Sequence, residues 1–104
     1  DDTNFYLLGE HDAGGGFAPD FNPQSRQYKW LVKQLSAARQ NSIFTFVVFH
    51  HAPYSSGPHG WPPGKEPQHD RQSGNPTRQL TPLFMEYGVD AVLSGHDEMW
   101  ERST

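Results

Sequence analysis

The chain has 104 residues, 34% of them hydrophobic and 19% charged, with 10 Gly, 9 Pro, no Cys and a net charge of −4 with His neutral. That length holds one small domain or a part of a larger one. The lack of Cys excludes disulfides and thiolate metal sites, the scattered Lys and Arg argue against a nucleic-acid groove, and no apolar run approaches the roughly 20 residues of a membrane span.

The chain opens within a strand-like run, NFYLL at residues 4–8, and stops just past a motif, so both ends read as cut. GEHDAGGGFAPDFNPQ, residues 9–24, is a loop by its Gly, Pro, Asp and Asn content. His11, Asp12 and the glycines there resemble ligands and a phosphate cradle. No phosphate-loop spacing supports that, and a plain loop is expected. Residues 24–40 turn helical: Tyr28, Leu31, Val32, Leu35 and Ala38 form one stripe at i, i+3, i+4 and i+7 spacing. Trp30 is expected to pack, and Asn41-Ser42 to end the helix.

IFTFVVF, residues 43–49, is nearly all β-branched or aromatic. A continuous apolar run is what a parallel strand buried on both faces needs, with Phe46 packed inside. A long loop rich in Gly, Pro, Ser and His follows, residues 50–75. A connection of that length in a compact domain is usually functional or disordered. His69-Asp70 within it reads as surface, and Trp61 as either a cleft wall or a loop staple.

A second helix is expected next. Asn75 suits its cap and Pro76 its first turn. Leu80, Leu83, Phe84 and Tyr87 form its stripe, and Gly88 suits the position after its end. Pro82 delays its start or kinks it. VDAVLS, residues 89–94, reads as a last buried strand. The order strand, helix, strand, helix, strand implies an α/β fold with a mostly parallel sheet.

In open α/β sheets, ligands bind beyond the carboxyl ends of the strands. Two histidine-bearing segments fall there: FHHAPYSSGPHG after the middle strand and GHDEMWER after the last. If the strands are parallel, both loops leave the same sheet edge and their side chains converge. Imidazole and carboxylate donors suit Zn, Mn and Fe. His96 and Glu98, with one residue between them, are candidate metal ligands on a tight turn. His51, stiffened by Ala52-Pro53, is a third. His59 lies farther along the loop and is placed to reach back as a proton donor. Each residue also has a bland reading: a solvated loop group, or a His50-His51 pair with one ring packed and one exposed.

These segments resemble a known family. VFHHAP, from Val48 through His51 to Pro53, is similar to a Val-x-x-His segment running into x-Pro of the calcineurin-like metallophosphoesterases, purple acid phosphatase branch. GHDEMWER is similar to that branch's Gly-His-x-His motif running into Tyr-Glu-Arg, and SRQYKWLVKQL to its Gln-x-x-Trp-Leu helix. The resemblance covers about residues 5 to 103. It implies a metallophosphoesterase α/β sandwich, of which residues 1–104 are the C-terminal portion of one catalytic domain. It further implies two di- or trivalent metal ions, Fe, Mn or Zn, and hydrolysis of a phosphate ester substrate. His51 and His96 would bind one ion, Glu98 takes the place of the histidine that binds the other, and His59 matches the loop histidine that contacts phosphate and protonates the leaving group.

The departures bear on the expectation. Glu98 stands where the family has His, and Trp100 where it has Tyr. The family's Asp-containing and Gly-Asn-His segments precede this region, so the expected partner is the remainder of the catalytic domain. Secretion or a periplasmic location is implied by the resemblance alone. Two other readings stand beside the enzyme: a non-catalytic relative whose site has decayed at Glu98, and a metal-binding α/β domain outside the family, favoured if the two loops lie on opposite sheet edges.

Overall fold

Ser25 starts the first helix. Its hydroxyl accepts from the Tyr28 backbone N–H at 3.0 Å, satisfying one of the donors that a helix start leaves open. In the computed structural model, which describes residues 21, 23–62, 64–65 and 72–103, helix α1 runs Arg26–Asn41 and ends at Ser42. Strand β1 spans Phe46–His51. A 3₁₀ helix, Asn75–Leu80, leads into helix α2, Thr81–Tyr87, and strand β2 spans Ala91–Gly95. The strand read at residues 4–8, residues 9–20 of the loop after it and the His69-Asp70 pair lie outside the described residues.

The two strands pair in parallel, with Phe46 opposite Ala91, Val47 opposite Val92 and Val48 opposite Leu93. Helices α1 and α2 cover one face of this sheet. Leu31 and Leu35 from the α1 stripe meet Phe21, Leu80, Leu83 and Phe84, with Tyr28, Val32, Val47, Phe49 and Val92 packed against them. Burying each such aliphatic side chain is worth about 1.5–3 kcal/mol. The Phe49 and Phe84 rings, 6.3 Å apart, tie β1 to α2. Arg39 Nη1 donates to the Glu86 carbonyl at 2.7 Å, linking α1 to the end of α2.

The second helix divides where proline requires it. Pro82 has no N–H to give, so it sits in the first turn of α2, and residues before it take the tighter 3₁₀ form. Asn75 does not cap. Its Nδ2 donates instead to the Trp61 carbonyl at 3.0 Å, while Thr77, fully buried, donates its hydroxyl to Gly74 O at 2.6 Å. Gly88 ends α2 in the left-handed region at φ 67°, where a side chain would be strained.

The sheet is buried on one face, not two. Phe46 is 61% exposed, Val48 72% and Leu93 56%, because period-2 alternation sends them away from the helices and no other described element covers them. Trp30, 56% exposed, likewise lies off the packed stripe of α1. Together these residues line an open apolar groove of about 840 Å³, which reaches the strand ends at His50 and Gly95.

Candidate metal centre

Parallel pairing sends the chain out of β1 and β2 at the same sheet edge. The expected convergence therefore occurs, and the opposite-edge arrangement is excluded. The register is irregular at that edge. From Val48 to His51 the chain takes three steps while β2 takes two, from Leu93 to Gly95. Alternation persists to the strand end: His50 is exposed with Phe46 and Val48, and His51 is buried on the core face. Both rings still meet His96, which crosses the end of β1.

His96 is held by backbone geometry. It has φ 75°, and the Asp97 N–H donates to Gly95 O at 3.0 Å. That is a γ-turn of the rare positive-φ kind, a strained form. Strain of order 1–3 kcal/mol at a non-glycine residue is characteristic of functional sites. The turn ends β2 at once and carries the His96 ring across the end of β1.

Three imidazoles result. The ring centroids of His51 and His96 are 4.1 Å apart, and those of His50 and His96 5.0 Å. His50 Nε2 and His96 Nδ1 are 3.1 Å apart. His51 is 2% exposed, whereas His50 is exposed and His96 half-buried. One donor atom from each of the three lies within 4.8 Å of the others. An ion with bonds of about 2 Å holds donors at most about 4 Å apart. A shift of a few tenths of an ångström per ring lets the three share one. The donor chemistry thus fits a borderline transition metal such as Zn, Mn or Fe.

The other expected residues fall as follows. The His59 ring lies 4.8 Å from that of His96, beside the cluster and outside the group of three. Glu98 also lies outside that group; it is exposed, with φ 51°. Sequence reasoning left His50 unassigned. Its only signal was adjacency to His51, and the contact of its exposed ring with His96 has no sequence signature here.

The loop carrying His59 is tied down at both ends. Arg78, on the 3₁₀ helix, donates from Nε to Pro53 O at 2.5 Å and from Nη2 to Trp61 O at 2.8 Å. Its guanidinium lies 4.9 Å from the Tyr54 ring centre, and the Tyr54 hydroxyl is 3.3 Å from Thr81 Oγ1. Trp61 is therefore a staple through its carbonyl.

No family model matches the chain, and no solved structure matches it significantly. Relatives do. The chain is 39% identical over 71 residues to tartrate-resistant acid phosphatase type 5 of Homo sapiens, covering 68% of this chain and 18% of that protein. It is 29% identical over 101 residues to purple acid phosphatase 18 of Arabidopsis thaliana, covering 96% of this chain and 21% of that one. A purple acid phosphatase of Glycine max is 27% identical over 101 residues, covering 97% and 18%. The chain thus spans about a fifth of the length of these relatives.

Proposed function

We propose that this chain, a purple acid phosphatase-like metallophosphoesterase region, contributes one wall of a metal-dependent phosphate-ester hydrolase site. The observation that carries the reading is the meeting of His50, His51 and His96 at the carboxyl ends of two parallel strands. Within it, His51 and His96 hold one ion. Glu98 is offered to a second, whose remaining ligands come from the rest of the catalytic domain. Bound ions supply Lewis acidity toward a phosphoryl oxygen and activation of water.

The chain's own residues supply the rest. His51 is buried in the fold and gives a fixed nitrogen. His50 sits against His96 Nδ1 and orients that ring. His59 holds a proton over the cluster. As water adds to phosphorus and the ester P–O bond breaks, the bond's electron pair stays on the leaving oxygen, and the His59 proton goes to it. Alcohol and phosphate leave. The net charge of −4 is no obstacle, since cations set the local field. No helix among the described residues is long and apolar enough to cross a membrane. A secreted or periplasmic setting belongs to the same proposal, on the resemblance alone.

A second reading has one observation behind it. Glu98 lies exposed and apart from the three histidines, as in a relative that keeps a single ion or a site without catalysis. Elemental mass spectrometry of the intact source protein, beside hydrolysis of a chromogenic phosphate ester, decides between them. About two ions per chain with turnover supports the hydrolase. A protein that takes up at most one such ion and shows no turnover belongs to the second reading.

A further inference from the structure

The residue between the two expected ligands of the last motif has partners of its own. Asp97 is half-buried. Its Oδ1 accepts the His59 backbone N–H at 3.2 Å, and its Oδ2 accepts the Ser55 hydroxyl. Ser55 Oγ in turn accepts the Gly57 N–H at 2.9 Å, and Gly60 N–H closes the turn on Gly57 O at 3.0 Å. One carboxylate thus holds both sides of the 55–60 turn. A second, Glu101, accepts the Ser56 N–H at 2.9 Å.

The approach is close. A Cβ on Gly57 would lie 2.8 Å from Asp97 Cβ and 2.9 Å from its Cγ, so only glycine admits the carboxylate there. The turn held this way is the one that sets the His59 ring 4.8 Å from His96. Asp97 belongs to the β2 exit and His59 to the β1 exit, 38 positions away in sequence. Joining them couples the proton donor to the histidine beside it.

We infer that Asp97 is the positioning residue for His59, clamping the 55–60 turn through Ser55 Oγ and the His59 N–H so that the ring stays over the histidine cluster. The inference rests on the reading of His59 as proton donor. A carboxylate suits the task because it only accepts, and here two donors face its two oxygens. An amide keeps the His59 bond through its oxygen, but its NH₂ meets Ser55 Oγ, so that bond survives only if the hydroxyl turns from donor to acceptor.

The test uses the intact, metal-loaded source protein with two probes. p-Nitrophenyl phosphate has a leaving group that needs little proton assistance; phenyl phosphate has one that needs more. A misplaced acid costs turnover mainly on the second. Asp97→Ala is expected to lower kcat on phenyl phosphate by about 100-fold, the scale of an ångström's displacement, with a much smaller loss on p-nitrophenyl phosphate and little change in KM or metal content. Asp97→Asn is expected to lie between, and Asp97→Ala combined with His59→Ala to be no worse than His59→Ala alone. In the metal-free protein, ring signals of ¹⁵N-labelled His59 are expected to shift in Asp97→Ala while those of His51 hold. Equal losses on both probes, or a His59 signal that does not move, overturn the inference and leave His59 as the donor. If His59→Ala itself shows no leaving-group dependence, the donor reading fails and the inference falls with it.

Discussion

His50 Nε2 lies 3.1 Å from His96 Nδ1 across 46 positions of sequence. The parallel pairing of β1 with β2 and a γ-turn at the end of β2 bring them together. The contact commits His96 Nδ1 to a neighbouring ring and leaves the choice of metal-facing nitrogen to Nε2. His50→Ala is expected to weaken Zn or Mn binding by about 10- to 100-fold, the range for loss of a partner behind a ligating histidine. Isothermal titration of the metal-free intact protein reads this directly. An unchanged Kd would show that His96 is oriented without His50.

His59→Ala separates proton transfer from ligation. Turnover is expected to fall by about 10²- to 10⁴-fold with metal occupancy unchanged, because the His59 ring lies outside the group of three donors. Parallel loss of metal and activity would move His59 from donor to ligand.

Glu98 offers two effects that separate on substitution. Its φ of 51° is unfavourable for any side chain, by about 1–2 kcal/mol. Glu98→Gly is therefore expected to raise the unfolding midpoint, whereas Glu98→Ala is not. Both are expected to lower the ions bound per intact chain from two to one if the carboxylate ligates. Thermal melts and metal content, measured on the same samples, check the two independently. Full metal content in both variants would leave Glu98 a solvated acid on a turn.

Arg78→Lys tests the staple. A lysine cannot span the Pro53 and Trp61 carbonyls as the guanidinium fork does. Each bond from a charged donor is worth about 1.5–3 kcal/mol, so the substitution is expected to destabilise the protein by at least about 1.5 kcal/mol and to expose the 53–61 loop. Denaturant unfolding with proteolytic mapping measures both. Unchanged stability would mean that Tyr54 and Asn75 hold the loop without it.

Much of the fold was legible because its signals are local. The α1 stripe needs only a 3.6-residue period, and Leu31 and Leu35 are buried as it implies. The strand ends and the two histidine segments also read directly, since β-branched runs stop at Gly95 and at Ala52-Pro53. Phe46 and Trp30, apolar and expected inside, are exposed. An apolar residue records that a surface can be buried; what covers it belongs to some other part of the fold.

The sequence by itself determined that the chain is an α/β unit with histidines at two strand ends, and its motifs carried the likeness to purple acid phosphatases. Tertiary structure alone decided which histidines meet. The parallel register sets His50 and His51 at the end of β1 beside the end of β2, and a positive-φ turn swings His96 toward both while leaving Glu98 exposed. Neither arrangement has a composition or a period, because each depends on two strands paired across more than forty residues of chain. The same holds for Asp97, whose meaning comes from the Ser55 hydroxyl and the His59 N–H that the parallel pairing places against it.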